Sequence, residues 1–432
     1  MQKKFDKAIL ADGIEMSTNC AETMINNNTL VVGGSGSGKT VSYVLPRLLE
    51  ARHSSLIVTM TKTKIKKMTE ELLRGRGYQI SCLDFVKPEN STVYWNPLSS
   101  IKTWTDCTQL AQNIVLSNPQ REKSNDPYWN ETATALLSSL IAFCLCKNKN
   151  ADMADVMNLF HKLKCIDDSS ARTTLDNVFE EFEKVAGSDH YVIACWRIFY
   201  VAPFRTASCI LSTLAATLNT LFTEDVCKLL KKDDKKRKLE IESLANQKEV
   251  LFLITSPVNK ILHCLVNIFY SMAFGRLFEY AQEQENEELD VPVHFIADDF
   301  ATGCVVNGFD EYISVFRAAG ISVSLLIQSE AQLEDIYGNK ARTIIDNCDT
   351  YLFYGCNDIR TAKTIAEKVD KATCEVLNMP IGKEIFMQRG QKPRIVNRYR
   401  TLEDERYKKL VKYLEASKKV KGIMGQRERA GA

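Results

Sequence analysis

The sequence predicts an α/β protein: a mostly parallel sheet with helices on both faces, split by an inserted all-α domain. Three observations predict it. Short apolar runs alternate with amphipathic segments through the first third of the chain. Helical patterns then follow one another from about Trp104 to Leu244 with no convincing strand. Apolar runs of strand length return afterwards, as far as Tyr354. Near-continuous apolar strands separated by helices are what a sheet buried on both faces requires. The expected divisions are 1–105 and 245–400 for the two parts of the α/β domain, 106–244 for the all-α domain and 401–432 for a charged tail.

Taken in order, Thr29–Val32 is a short apolar run ending in glycines. Val41–Glu50 has helical spacing through Val44, Leu45, Leu48 and Leu49. Ser55–Met60 is β-branched and apolar, and reads as a buried strand. Ile65–Arg74 is amphipathic, with Ile65, Met68, Leu72 and Leu73 on one side, and stops at Gly75. Gln79–Phe85 reads as another strand. The middle third gives helices over Thr132–Cys146, Met153–Leu163, Leu175–Val185, His190–Phe199 and Thr206–Leu221, and closes with the charged run Lys231–Lys238. Later strands are expected at Glu249–Thr255, Val293–Ala297, Ser322–Ile327 and Thr350–Tyr354. Helices Leu262–Gln282, Phe309–Ala319 and Arg360–Lys368 lie between and after them.

Composition narrows the class. Hydrophobic residues make up 45% and charged residues 25% of the 432, which excludes a mainly disordered chain, a collagen-like one or a small disulfide scaffold. Lys+Arg 56 against Asp+Glu 54 gives a net charge of +2, so any nucleic-acid binding must come from local patches. The 14 cysteines include no CxxC pair. Most, such as Cys82, Cys209 and Cys264, have apolar neighbours, and the spacing fits reduced core thiols of a cytoplasmic protein. The longest apolar runs, Ala135–Cys146 and Ile210–Phe222, fall short of the ~18–20 residues a membrane span needs.

The strongest local signal is Gly33-Gly34-Ser35-Gly36-Ser37-Gly38-Lys39-Thr40, which fits G-x-x-x-x-G-K-[ST] at every required position. It follows an apolar strand and opens a helix, the setting a phosphate-binding loop needs. Its glycines let backbone N–H groups wrap phosphate oxygens, and the helix N-terminus adds positive potential. Lys39 is placed to bridge the β- and γ-phosphates of ATP, and Thr40 to offer its hydroxyl to Mg²⁺. A carboxylate at the end of a neighbouring strand must complete the site. His294–Phe300 supplies it: Asp298 for the Mg²⁺ shell and Asp299 to polarise the attacking water. Gln328 ends the next strand; it either orients that water or simply begins a loop. Arg317 ends a helix; it is either a surface arginine favoured by the helix dipole or reaches a neighbouring subunit's nucleotide.

These motifs, in this order, resemble the conjugative type IV coupling proteins of the TraG/TraD family. The resemblance runs from about Ile9 to Tyr399. It is carried by VVGGSGSGKT, by the stretch ending at Asn96-Pro97-Leu98, by NDPYWNETATALLSSLIAF, by PVHFIADDFA, by FRAAGISVSLLIQSEAQLEDIYG and by NCDTYLFYGCND. It implies a RecA-like P-loop NTPase domain, ATP and Mg²⁺ as ligands, and a hexameric ATPase. Asp298 is then the Walker B acid, Arg317 an arginine finger acting across the subunit interface and Gln328 a γ-phosphate sensor. The implied partners are single-stranded DNA, relaxase proteins, and the ATPases and membrane components of a type IV secretion channel. The implied place is the cytoplasmic face of a membrane, reached through partners or an anchor outside this sequence.

Three departures from the family pattern stand out. Asp299 replaces the usual glutamate, and a carboxylate displaced by about a methylene can lower a rate on the order of 100-fold. Met60-Thr61-Lys62-Thr63-Lys64 replaces the usual D-P-K-G-E. Typical members begin with transmembrane helices. A weakly hydrolysing, substrate-recruiting scaffold is therefore a rival to a full motor, and another FtsK/HerA-type DNA-translocating or secretion ATPase is a second rival. Lys62, Lys64, Lys66, Lys67 and the run Lys231–Lys238 are candidates for DNA backbone contact, and Ala8–Ser17 for the adenine.

Overall fold

The computed structural model describes residues 4–117, 127–166, 172–233, 235–302, 304–409 and 412. Thirteen strands are present among them: β1 Lys7–Ala11, β2 Ile14–Ser17, β3 Thr29–Val32, β4 Ser55–Met60, β5 Gln79–Asp84, β6 Val93–Tyr94, β7 Arg237–Lys238, β8 Glu249–Ile254, β9 Val293–Asp298, β10 Ile321–Ile327, β11 Thr350–Phe353, β12 Lys383–Gln388 and β13 Arg394–Asn397. Nine of them form one sheet in the order β13-β12-β11-β3-β10-β9-β4-β8-β5. All pairings from β11 to β5 are parallel; β12 and β13 add an antiparallel edge.

Side chains alternate across this sheet as a pleat demands. Val31, Val58, Ile296, Leu326 and Leu352 face one apolar layer. Leu30, Ile57, Phe295, Leu325 and Phe353 face the other. Both faces are covered, which is why the strands read as unbroken apolar runs. The fold is a RecA-like P-loop domain interrupted by a helical unit.

That unit gathers around Pro127–Lys147, which packs on Trp104–Leu116, Tyr191–Tyr200, Met153–Lys162 and Phe204–Leu221. Phe179 stacks on Trp196 with ring centroids 3.9 Å apart. Helix Lys260–Gln282 joins the two regions, with Phe269 edge-on to Trp95 at 5.0 Å. One continuous apolar cluster therefore runs from the sheet into the helical insert.

Several expectations are corrected. The segment after the phosphate loop is not one α-helix. Thr40–Val44 is a π-wound turn, and α-helix resumes at Leu45–Glu50. The Trp104–Leu244 region does contain a strand, since Arg237–Lys238 pairs in parallel with Val93–Tyr94. Ala8–Ser17, given no strand in the expectations above, lies within the β1–β2 hairpin, with the Asp12 N–H donating to the Asn397 carbonyl at the end of β13. Cys209 is exposed rather than in the core. Helices Pro127–Lys147 and Lys260–Gln282 are long and apolar enough to cross a membrane by length and composition, and both are largely packed inside the structure. The tail beyond Lys409 lies outside the described residues apart from Lys412, as do the Asn125-Asp126 start of NDPYW and Asp234 in the basic run.

Candidate functional site

Parallel strands end together, so β3, β9, β10, β4 and β11 present their C-terminal tips at one edge. The phosphate loop leaves β3 at its centre. Its start is pinned on both sides: Gly33 N donates to the Ile327 carbonyl of β10 (3.1 Å), and Gly34 N donates to the Gly355 carbonyl after β11 (2.9 Å). Gly33 has no room for a side chain. A Cβ there would stand 2.6 Å from Ser37 Oγ and 2.8 Å from Tyr354 Cβ. Gly36 and Gly38 take φ +74° and +91°, a region where residues with a Cβ are strained.

Lys39 is buried and folded onto the loop itself. Its Nζ donates to the Gly33 carbonyl and, at 3.4 Å, to that of Gly34. Burial lowers its pKa, while the charges of Asp298 and Asp299 oppose that shift. Thr40 Oγ1 donates to Asp298 Oδ2 across 3.4 Å, which brings the two expected Mg²⁺ contacts together. Burial, and then the neighbouring Asp299 charge, push the Asp298 carboxyl up to about 6. Asp299 itself sits at φ +54°, a left-handed position that aspartate tolerates better than most residues. A hydroxyl and a half-buried carboxylate beside a phosphate loop are a donor set of the hard-oxygen kind that Mg²⁺ takes.

Gln328 follows Ile327, whose register partner is Val32. Its side chain is exposed and its N–H lies 3.4 Å from Gln332 Oε1. It therefore stands at the same edge as Gly33 and Asp298. Arg317 does not. It ends helix Phe309–Ala319, just before β10 begins, and its Nη2 donates to the Cys20 carbonyl at 3.1 Å. The length of β10, roughly 20 Å at ~3.3 Å per residue, separates it from its own phosphate loop.

Of the basic candidates, Lys62, Lys64 and Lys67 are exposed near this edge, and Lys66 pairs with Glu70 at 3.4 Å. Much of the Lys231–Lys238 run is occupied within the chain: Arg237 pairs with buried Glu249, and Lys236 donates to the Pro88 carbonyl at 3.1 Å.

A model of the family described as type IV secretory system conjugative DNA transfer matches residues 13–384. The chain belongs to that family. The conjugal transfer protein TraG of Escherichia coli is 25% identical over 353 residues, covering 78% of this chain and 54% of TraG. The type IV secretion system-coupling protein VirD4 of Bartonella henselae is 22% identical over 385 residues, covering 84% and 56%. The chain thus spans about half the length of these relatives. The plasmid coupling protein TrwB, in complex with the non-hydrolysable ATP analogue ADPNP, has the same fold, with a TM-score of 0.67 at 15% identity over 92% of this chain and 90% of that one. TrwB in complex with ADP and Mg²⁺ matches with a TM-score of 0.67 at 16% identity, over 92% and 89%.

Within this conjugative-transfer fold, one residue beside the loop escaped the sequence reading. Arg398, just past β13, donates to the carbonyls of Ser37 and Tyr354 and, at 2.8 Å, to that of Lys383. Its guanidinium lies 4.6 Å from the centre of the Tyr354 ring. Buried Glu384 lies near it, and among the described residues neither of its oxygens has a hydrogen-bond partner. Burial pushes the Glu384 carboxyl up to about 8, against the pull of the Arg398 charge. No motif announces this group. A lone arginine in a charged stretch has no signal until β12 and β13 are paired.

Proposed function

We propose that this chain is the motor part of a conjugative coupling protein, binding ATP with Mg²⁺ and using hydrolysis to pass single-stranded DNA with its relaxase toward a type IV secretion channel. The observation that carries the reading is the Thr40–Asp298 contact at 3.4 Å beside a loop whose lysine is already inside the site. The TrwB complexes with ADPNP and with ADP and Mg²⁺ support the ligand assignment.

In this reading Lys39 leaves the Gly33 and Gly34 carbonyls and turns to the β- and γ-phosphates. Thr40 and Asp298 would hold Mg²⁺, which when bound neutralises charge on the phosphoryl oxygens. Asp299 orients and polarises the attacking water, and Gln328 senses the γ-phosphate from the tip of β10. Arg317, too far from its own loop, serves the nucleotide of a neighbouring subunit, so the working form is a ring, with a hexamer as the expected size. The exposed Lys62, Lys64 and Lys67 track the DNA backbone. The site of action is the cytoplasmic face of the membrane, beside the channel's ATPases and membrane components.

A second reading is a scaffold that binds nucleotide and turns over weakly. The short Asp299 and the Met60–Lys64 departure favour it. Steady-state ATPase measurements with and without single-stranded DNA separate the two. DNA-stimulated turnover that Lys39→Ala abolishes supports the motor; measurable ATP binding with no turnover at any protein concentration leaves only the scaffold.

A further inference from the structure

The edge of the sheet opposite the phosphate loop holds a cavity of about 630 Å³ beneath the starts of β9 and β10.

Arg47, Arg317, His294, Asn19, Ser54 and Glu288 are on its wall. Arg47 comes from helix Leu45–Glu50, which continues the π-wound turn Thr40–Val44 that leaves the phosphate loop. It is only 8% exposed. Among the described residues its guanidinium has no ion pair, and its Nε is fully shielded without an acceptor. A cation this deep without a counter-ion is unfavourable, and such groups are ordinarily paired.

The groups around it do not supply the missing anion. His294 Nδ1 and Nε2 are each 2.7 Å from a serine hydroxyl, those of Ser322 and Ser324. Burial, and then the Arg47 charge, hold that imidazole neutral. Asp6 is spent on the N–H groups of Arg52, His53 and Ser54. Among the described residues Glu288 is the one carboxylate on the wall, and its Cγ lies 3.1 Å from where a Gly320 Cβ would be, on the Arg317 side.

We propose that this cavity is a receptor for a phosphoryl oxyanion, with Arg47 as its buried cation and Arg317 at its mouth. The oxyanion has two possible sources, the nucleotide of a neighbouring copy or free phosphate, and the first rests on the ring reading above. Two guanidiniums on one cavity suit a phosphoryl group, which accepts several N–H bonds at once.

The test starts from Lys39→Ala, which removes phosphate binding at the loop. Inorganic phosphate at matched ionic strength should raise the melting temperature of this variant by several degrees, and adding Arg47→Met or Arg47→Gln should abolish that shift. Without phosphate, Arg47→Met should melt higher than its parent, because an apolar chain replaces an unpaired buried charge. In the otherwise native protein, at least a 10-fold loss of DNA-stimulated turnover on Arg47→Gln, with ATP affinity unchanged, assigns the oxyanion to a neighbour's nucleotide. Lost phosphate protection with unchanged turnover assigns it to free phosphate. No phosphate shift in Lys39→Ala, together with a lower melting temperature for Arg47→Met, overturns the receptor. Absence of any ATPase activity would count against the motor while leaving the phosphate measurement readable.

Discussion

Asp298 joins the phosphate loop to the rest of the site, and its protonation sets a pH window. Its carboxyl is pushed up to about 6 by burial and by Asp299, above the unfolded range near ~4. A group raised in this way stabilises the native chain fully below its unfolded value, and that contribution is lost as pH rises through about 6. In the proposed reading Mg²⁺ binding has the opposite slope, since it would need the Asp298 carboxylate. Mg²⁺-dependent nucleotide affinity should therefore fall as pH drops through this window, and Asp298→Asn should remove both the affinity and its pH dependence in a fluorescent-nucleotide titration. Glu384 carries the same sign in a higher window, reaching about 8. The melting temperature of the nucleotide-free protein should decline as pH rises toward that value, and Glu384→Gln should flatten the decline. Asp299 adds a conformational test. Its φ of +54° suits Asp or Asn better than Glu, so Asp299→Glu should lose about 1 kcal/mol of stability in denaturant melts, whereas Asp299→Asn should fold normally.

At the scale of elements, the antiparallel edge β12–β13 holds the loop in place through Arg398. Arg398→Ala should weaken ATP binding about 10-fold, or ~1.4 kcal/mol, and Arg398→Lys should not restore it, because one ammonium cannot reach three carbonyls in a fork. The exposed Lys62, Lys64 and Lys67 make a second test. Replacing each with Gln should weaken single-stranded DNA binding evenly across sequences and reduce the salt slope by about 0.7 per residue. The interior strands of the sheet were legible from the sequence because burial on both faces leaves long apolar runs, as in Ser55–Met60 and Glu249–Ile254. The edge was not. Arg394–Asn397 is short and mostly exposed, so no period marks it. The π-wound turn at Thr40–Val44 also leaves no trace in composition. The loop, Asp298 and Gln328 were readable because each sits at a fixed place on a strand tip. Arg398 and Arg47 depend on contacts between distant segments, which no local pattern encodes.

At the scale of the whole molecule, the separation of Arg317 from its own loop predicts complementation between subunits. Lys39→Ala and Arg317→Ala proteins should each be inactive alone. Mixed, they should recover part of the DNA-stimulated ATPase, because an intact loop can then face an intact arginine. Full activity of Arg317→Ala alone would remove the need for a neighbour. The strand order has a consequence for synthesis as well. β3 is made early, yet both of its neighbours, β10 and β11, come from far down the chain. A nascent chain on the ribosome must keep that apolar strand unpaired while the helical insert, rich in local contacts, folds ahead of it. Chains released before Thr350 should therefore collect in aggregates rather than as weakly active protein, which makes this a fold whose yield depends on what shelters an unfinished sheet.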